Sequence, residues 1–339
     1  MKRRLIKNLT AGAAICLLGV TLLATASAAT QLKTGLKVFV IPKNLGNPYF
    51  TTSDSVKSGG ALKALQELKE KGTETSGTQA TAASQIPAIQ AAITKGANAL
   101  IVSATDASAL CPTLKQAMAR KITVVTYDSD APKCRNLFIN QADSKAIGTS
   151  QVDVLAKQIN KTGEIAVVSA AASATNQNVW IGFMKQQLKK YPRMKLVDVV
   201  YGNDDPTVST QVTQGLLQKH PNLKGIISPT TVGIAAAAAV LDTAKYRGKI
   251  KLTGLGTPNS LRKYVKDGTI EAFELWNPAD LGYLAAYAAV NYASGTISGK
   301  LRQTFKAGHL GSYKIGARQT VLLGPPFVFN KKNIDKFHF

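Results

Sequence analysis

The sequence predicts an α/β protein built from two doubly wound parallel sheets. Runs of branched apolar residues alternate with amphipathic helical patterns along the whole chain. Most of the runs are apolar on both faces, which is typical of parallel strands that helices cover on both sides. The alternation occurs twice, once before about residue 141 and once from about 164 to 276. Two lobes of similar topology follow from this repetition.

The predicted elements follow one another in a regular order. The strands are 36–42, 99–104, 122–127, 137–140, 164–170, 195–202, 225–229, 250–256 and 271–276. Between them lie helical stretches such as AASQIPAIQAAITKG, CPTLKQAMARK, NVWIGFMKQQLKKYP and TVSTQVTQGLLQKHPN. A further helix, NPADLGYLAAYAAVNYASG, follows the last predicted strand and has no place among the elements of the second sheet. It is therefore expected to pack on the first sheet.

The first 28 residues have the three parts of a secretory signal peptide. MKRRLIKN is basic, the next stretch is apolar, and Ala26-Ser27-Ala28 resembles a cleavage site. The apolar stretch is shorter than the roughly 20 residues of a membrane span. We therefore expect an exported mature chain, 29–339, long enough for two domains of about 150 residues each.

The predicted domain boundaries follow from the repeat. We expect an N-terminal lobe of 29–141 plus 277–308 and a C-terminal lobe of 142–276 plus 309–339. The chain then crosses between the lobes several times, and these crossings act as a hinge.

Two cysteines, Cys111 and Cys134, remain after removal of the leader with Cys16. An even count in an exported chain favours a disulfide, and both residues are predicted near one edge of a sheet. Two unpaired buried thiols are the alternative.

Composition and motifs argue against several functions. The net charge is +23, yet the lysines are scattered over helix surfaces without a stripe, so no nucleic-acid partner is expected. The histidines, His220, His309 and His338, are far apart, which predicts no metal site. No catalytic or phosphate-binding motif occurs, and nothing distinguishes Asp106 and Asp128 as a catalytic pair. We expect neither an enzyme nor a cofactor.

The loops that follow the strands carry the candidate binding residues. Ligands of open α/β sheets bind outside the carboxyl ends of the strands. A sugar needs side chains that donate and accept hydrogen bonds at its hydroxyls, and aromatic rings against its C–H faces. The candidates of these two kinds are Lys43, Asn47, Tyr49, Phe50, Asp106, Asp128, Asn176, Gln177, Trp180, Pro229, Thr231 and Trp276.

Each candidate also has a structural interpretation. Asp, Asn and Thr at strand ends are common N-caps of the next helix. Tyr49 and Phe50 could begin a helix and face the core, Trp180 could be a core residue, and Lys43 could be solvated.

Several motifs resemble a known family. They are NPYF, CPTLKQAM with TYDSDAPKC, TNQNVW, SPTTVGIAAAA, TGLGTP and LWNPADLGY. Together they resemble the periplasmic solute-binding proteins of sugar ABC transporters, of the ribose type, which have the type I periplasmic binding fold. Within that family the chain looks most like the rhamnose-binding branch, with similarity to the autoinducer-2-binding proteins.

The resemblance implies specific binding residues. The ligand contacts of the autoinducer-2 type fall on Lys43, Asp128, Asn176, Gln177, Pro229 and Thr231. An Asp is expected at Asn176 and an Ala at Thr231, and both departures favour a deoxyhexose. The wider family adds Tyr49, Phe50 and Asp106, whereas its GFD motif is replaced by Leu255-Gly256-Thr257.

The resemblance also implies the function. We expect a monomeric periplasmic protein that binds a monosaccharide, most readily L-rhamnose, and delivers it to a membrane permease with its ATPase. Uptake of the quorum signal autoinducer-2 is the alternative. A receptor that hands its ligand to a chemoreceptor or kinase would have the same soluble chain, and a secreted hydrolase would need Asp106 and Asp128 to turn over a glycoside.

Overall fold

A computed structural model of the protein describes residues 31–339, so the predicted signal peptide lies outside the described residues. The first lobe contains a sheet of six parallel strands in the order β13-β5-β4-β3-β1-β2. Its strands are β1 (Lys37–Ile41), β2 (Lys71–Glu74), β3 (Ala99–Val102), β4 (Thr123–Tyr127), β5 (Leu137–Asn140) and β13 (Thr320–Leu322). All residues of β3, β4 and β5 are buried, which confirms the interpretation of their apolar runs as covered parallel strands.

Five helices cover this sheet. They are α1 (Pro48–Asp54), α2 (Ala61–Glu67), α3 (Ala82–Thr94), α4 (Ala107–Ala119) and α10 (Pro278–Ser294). Helix α10 follows the second lobe in sequence but packs against α1, α2 and β4 of the first lobe. A Cβ atom on Gly282 of α10 would lie 1.9 Å from the carbonyl oxygen of Ser53, so only glycine permits this close approach to α1.

The second lobe contains a sheet of four parallel strands in the order β7-β6-β8-β9. Its strands are β6 (Gly163–Ser169), β7 (Met194–Tyr201), β8 (Leu223–Ser228) and β9 (Lys251–Gly254). Its helices are α5 (Ser144–Gln158), α6 (Thr175–Leu188), α7 (Pro206–Lys219), α8 (Thr231–Leu241) and α9 (Pro258–Lys266).

The strand predicted at 271–276 lies beside this sheet. It forms β10 (Ala272–Leu275), which pairs antiparallel with β14 (Phe327–Asn330). A single bridge between Leu255 and Glu274 connects β10 to the end of β9. The predicted strand therefore exists, but it extends the second sheet through one bridge and not through a full ladder.

The C-terminal boundary of the lobes differs from the prediction. Strand β13 (Thr320–Leu322) pairs with β5 in the first sheet, although 309–339 was expected entirely in the second lobe. The third crossing between the lobes therefore lies at 323–326, after crossings at 141–143 and 276–277. The free edge of β5 explains the difference, because three extended residues suffice to satisfy its backbone hydrogen bonds.

Three short strands had no sequence signal. Strand β2 has the sequence KGTE and is largely exposed, while β11 (Thr304–Lys306) and β12 (Ser312–Lys314) form a hairpin near α10. None has an apolar pattern long enough to indicate a strand.

The predicted disulfide is present in the first lobe. It joins Cys111 of α4 to Cys134, which follows β4, with a Cα–Cα distance of 5.3 Å. That spacing is usual for a disulfide, and Cys134 is buried in the core between the sheet and α4. Within residues 31–339, no helix has the length and apolar character needed to cross a membrane.

Replacing both cysteines with serine is expected to lower the free energy of unfolding by about 3 kcal/mol, because the unfolded chain loses a crosslink between residues 23 positions apart. Urea denaturation of the oxidised protein and of the double variant measures the difference. A reductant should destabilise the natural protein and leave the variant unchanged. Equal stability of the two oxidised proteins would contradict the prediction.

Glu274 of β10 is a buried acid in the second lobe. Its side chain is 3% exposed, and the Ser150 hydroxyl of α5 donates to its Oε2 at 2.6 Å. Burial raises the pKa of Glu274 from its ordinary value of 4.5 to about 7. The folded protein therefore holds a proton between pH 4.5 and 7 that the unfolded chain has released, so the contribution of Glu274 to stability falls as the pH rises through this window.

We expect Glu274→Gln to match the natural protein in stability at pH 4 and to exceed it at pH 8 by up to about 3 kcal/mol. The amide removes the cost of ionising a buried carboxyl group. Chemical denaturation at the two pH values tests this. Glu271→Gln is the control, since Glu271 is exposed and its pair with Lys251 contributes less than about 1 kcal/mol. A gain that does not depend on pH would refute the explanation.

Candidate binding site between the lobes

A cavity lies between the two lobes, at the carboxyl ends of both parallel sheets, and its empty space, open solvent included, is about 360 Å³. It is lined by Lys43, Asn47, Tyr49, Phe50, Asp128, Asn176, Gln177, Trp180, Asp204, Pro229, Thr230, Thr231, Leu255, Leu275 and Trp276. Every residue proposed from the sequence as a ligand contact is among them except Asp106. Residues that are far apart in sequence therefore surround one space between the lobes.

Lys43 is the centre of a hydrogen-bonded cluster that joins the lobes. It follows β1 of the first lobe, and its ammonium Nζ lies 3.1 Å from Oδ1 of Asn176, at the start of α6 in the second lobe. The same Nζ lies 3.7 Å from Oδ2 of Asp128, which follows β4. Lys43 is 4% exposed, so the alternative of a solvated lysine is wrong. A buried ammonium needs these partners, because the protein interior stabilises charge poorly.

The backbone of Asp128 directs its carboxylate toward Lys43. Asp128 has φ 58°, in the left-handed region that Asp tolerates better than most residues. Its Oδ2 accepts a hydrogen bond of 2.7 Å from the Ser103 hydroxyl after β3, and its Oδ1 lies 3.4 Å from Nδ2 of Asn176. Asp128 thus does not cap a helix, and its carboxylate faces the cavity.

The side-chain oxygen of Gln177 already accepts hydrogen bonds from the protein. Its Oε1 accepts hydrogen bonds of 2.7 Å from the Ser169 hydroxyl and from the backbone N–H of Ala170, both at the end of β6. No hydrogen bond within residues 31–339 uses its amide nitrogen. The orientation of the amide is therefore fixed, with N–H donors left for a ligand.

The aromatic pair Tyr49 and Phe50 begins helix α1 and does not lie in a loop. Asn47 caps this helix, since its side chain accepts from the N–H of Tyr49 at 3.0 Å. Both residues are buried, at 5% and 3% exposure, as expected if they begin a helix and face the core. Both also line the cavity. The two interpretations of these residues are therefore compatible.

Four aromatic rings form one wall of the cavity. Tyr49 makes edge contacts with Phe50, at 5.1 Å between ring centroids, and with Trp276, at 6.2 Å. Trp276 also contacts Trp180 of α6 at 6.2 Å. These edge-to-face contacts hold the rings in fixed orientations. A rigid apolar wall thus stands beside the polar cluster around Lys43.

The two indole N–H groups of this wall have different partners. Nε1 of Trp276, at the 276–277 crossing between the lobes, donates to the Tyr49 hydroxyl of the first lobe at 2.8 Å. Nε1 of Trp180 is buried and has no hydrogen-bond partner among the described residues. Burial also raises the pKa of Tyr49 well above its ordinary value, with a smaller contribution from Asp128, so this hydroxyl remains neutral.

Asp106 lies outside the cavity, and its grouping with the other candidates needs correction. It is the N-cap of α4, where Oδ1 accepts from the N–H groups of Ser108 and Ala109 at 2.9 and 3.0 Å. Asp106 is therefore a helix N-cap, which was the alternative interpretation of this residue. An Asp directly before a helix satisfies backbone donors that have no other partner.

Asp204 is a cavity residue that the site prediction missed. It follows β7 and is half-buried, and its Oδ1 accepts a hydrogen bond from the Thr230 hydroxyl. Burial raises the pKa of Asp204, while the charge of Lys43 opposes this shift. The signal was present, because Asn203-Asp204-Asp205 stands at a strand end like the residues that were chosen.

The arrangement suits a small neutral molecule with many hydroxyl groups. The cavity offers carboxylate acceptors, amide and ammonium donors and aromatic faces. Among residues 31–339 no group of three His, Cys, Asp or Glu side chains is placed to hold a metal ion. The fold and cavity define a two-lobed protein with a candidate ligand site between its lobes.

Comparison with known proteins identifies the family. The family model described as periplasmic binding protein domain matches residues 38–297, so the chain belongs to the periplasmic binding proteins. Its fold is the ribose-type, sugar-binding form of type I, and its relatives are binding proteins and not enzymes. It is a solute-binding protein of a sugar ABC transporter, and the family implies a location outside the cytoplasm.

Three solved structures illustrate the similarity. A sugar ABC transporter from Actinomyces odontolyticus is 44% identical, with 91% of this chain and 100% of that chain covered and a TM-score of 0.70. A solute-binding protein from Clostridium phytofermentas with bound L-rhamnose is 36% identical, with 91% and 99% covered and a TM-score of 0.86. LsrB from Clostridium saccharobutylicum in complex with AI-2 is 25% identical, with 90% and 100% covered and a TM-score of 0.84.

Trp276→Phe should shift the lobes toward an open arrangement. The change keeps an aromatic ring but removes the Nε1 donor, so the buried Tyr49 hydroxyl loses its partner at a cost of about 1–3 kcal/mol. Trp276 lies at the 276–277 crossing and also contacts Trp180 of the second lobe, so loss of its bond to Tyr49 in α1 weakens the closed arrangement. Small-angle scattering without ligand should show a larger radius of gyration.

Trp180→Phe is the matched control for that measurement. It removes an indole N–H that has no protein partner, so the spacing of the lobes should stay unchanged. Equal scattering from both variants would show that the Tyr49–Trp276 bond does not hold the lobes together.

Proposed function

We propose that this protein binds L-rhamnose in the cavity between its lobes. The observation that carries the proposal is the pairing of the rigid aromatic wall with the polar cluster of Lys43, Asp128, Asn176 and Gln177. L-rhamnose, a 6-deoxyhexose, has the same two characters, since hydroxyl groups surround part of its ring and a methyl group stands where a hexose has a hydroxymethyl group. The similarity to the L-rhamnose-bound protein from Clostridium phytofermentas supports this choice of ligand.

Two substitutions favour rhamnose over autoinducer-2. The autoinducer-2 pattern has an Asp at the position of Asn176 and a small Ala at the position of Thr231. An amide is a weaker acceptor for diol hydroxyls than a carboxylate, and the threonine adds a methyl and a hydroxyl group. Autoinducer-2 remains the second candidate because Lys43, Asp128, Gln177 and Pro229 keep that pattern and because LsrB, in complex with AI-2, has a similar structure.

Binding couples to closure because the contacts come from both lobes. Asp128, Phe50 and Lys43 belong to the first lobe, whereas Asn176 and Gln177 belong to the second. A ligand that bonds to both sets stabilises the closed form over the open one by its differential affinity. The closed form of a monomeric, periplasmic protein would then be recognised by the permease and its ATPase.

Isothermal titration calorimetry with L-rhamnose, D-ribose and autoinducer-2 tests the proposal. We expect L-rhamnose to bind most tightly. Trp180→Phe should weaken that binding by about 5- to 10-fold, since its free indole N–H is a donor for a ligand oxygen. Tight binding of autoinducer-2 without heat from L-rhamnose would reverse the ranking, and tight binding of ribose alone would reject both candidates.

The double variant Asn176→Asp with Thr231→Ala should shift selectivity toward autoinducer-2. It restores a carboxylate 3.1 Å from the Lys43 ammonium and removes bulk from the start of α8. We expect the ratio of the two dissociation constants to change by about 10-fold or more, as one charge-assisted hydrogen bond allows. Titration of both ligands into both proteins measures it. An unchanged ratio would show that these positions do not select the ligand.

A further inference from the structure

Asp204 lies between the ligand cavity and a second, outer space. This space, the outer groove, opens between the lobes on the side of the β7–α7 turn. Its lining consists of Asn44, Thr78, Gln79, Ala80, Thr81, Ala82, Asp106, Ala171, Ser173, Asn203, Asp204, Asp205 and Val208. Asp204 is the residue common to this lining and to that of the cavity. Its carboxylate therefore forms part of the boundary between the two spaces.

The backbone of the turn is what directs Asp204 inward. Asn203 and Asp204 both have left-handed φ angles, 57° and 51°, which are uncommon outside glycine. Backbone bonds fix the turn, because the N–H of Asn203 donates to Ala170 and that of Asp205 donates to Gly202. The neighbouring Asp205 faces outward and caps α7, where its Oδ1 accepts from the N–H of Val208 at 2.9 Å. Two adjacent acids thus have different roles.

The carboxylate of Asp204 is held at one oxygen and available at the other. Its Oδ1 accepts from the Thr230 hydroxyl, whereas no hydrogen bond within residues 31–339 uses Oδ2. The turn and Thr230 restrict its movement before any ligand arrives, which reduces the entropy lost on binding. Asp128 presents a second carboxylate from the opposite lobe.

We propose that Asp204 is a specificity-determining residue that accepts a hydrogen bond from one ring hydroxyl of the bound monosaccharide. The proposal rests on the function proposed above. Because Asp204 lies at the boundary with the outer groove, the selected hydroxyl is the one on the groove side of the sugar ring. Asp128 and Asp204, on opposite lobes, then hold the ring between two acceptors, so a sugar without that hydroxyl leaves a partly buried carboxylate unpaired.

The test combines protein variants with altered sugars. L-rhamnose and its 2-, 3- and 4-deoxy analogues are titrated into the natural protein, Asp204→Asn and Asp205→Asn. We expect Asp204→Asn to bind L-rhamnose about 10- to 100-fold more weakly, because hydrogen bonds to charged groups are strong. One deoxy analogue should bind the natural protein weakly but lose little further affinity in Asp204→Asn, since that change removes the same bond.

Asp205→Asn is the matched control, because it alters an adjacent acid that does not line the cavity. It should keep the natural affinity for L-rhamnose and for every analogue. Asp204→Ser repeats the measurement with a smaller side chain in case the Asn variant does not fold, which circular dichroism will show. Unchanged L-rhamnose affinity in a folded Asp204 variant, or equal losses in the Asp205 variant, would overturn this inference alone. Failure of the natural protein to bind any neutral monosaccharide would overturn the proposed function as well.

Discussion

The burial of one lysine between the lobes is the constraint on which the cavity depends. The Lys43 ammonium is removed from water, and its stabilising partners are Asp128 on its own lobe and Asn176 on the other. Burying a charge without partners costs free energy. Asn176 can stabilise the buried Lys43 ammonium only while the rims of the two sheets face each other. The bond between Tyr49 and Trp276 acts in the same direction at the apolar side of the cavity. Both the polar cluster around Lys43 and the aromatic wall therefore favour the arrangement in which the two lobes lie together.

Most of the fold was predictable because burial on both faces leaves a clear pattern in the sequence. Strands β3, β4 and β5 are buried throughout and mostly apolar, and no helix of that composition would be so short. The segment with strand β13 was assigned to the wrong lobe, since TVL fits any free sheet edge and its position depends on β5 being unpaired there. Strand β2, with the sequence KGTE, has no apolar pattern, and it is a strand because the fold places it beside β1. Non-local pairing of short segments is what local sequence cannot specify.

The site was predictable at the level of strand ends and less so at the level of single side chains. Asp106 and Asp128 both follow parallel strands, but one caps α4 and the other faces the cavity. The difference lies in the left-handed backbone of Asp128 and in its bond with Ser103, and neither is visible in a sequence. Asp204 was missed for the same reason, because its direction depends on a turn of two left-handed residues. Residue type identifies the candidates, and backbone geometry selects among them.

Specificity in such a cavity depends on polar groups that the protein itself leaves without partners. The Trp180 indole nitrogen and Oδ2 of Asp204 make no hydrogen bonds within residues 31–339, and the Gln177 amide nitrogen makes none either. Groups already paired, such as the Trp276 indole nitrogen, gain little from a ligand, because one good bond replaces another. Unpaired groups discriminate strongly, since a ligand without the matching hydroxyl leaves them desolvated and unsatisfied. The positions of these three groups, all on the second lobe's side of the cavity, therefore determine which hydroxyl groups the ligand must carry, while the aromatic wall determines where it must carry none.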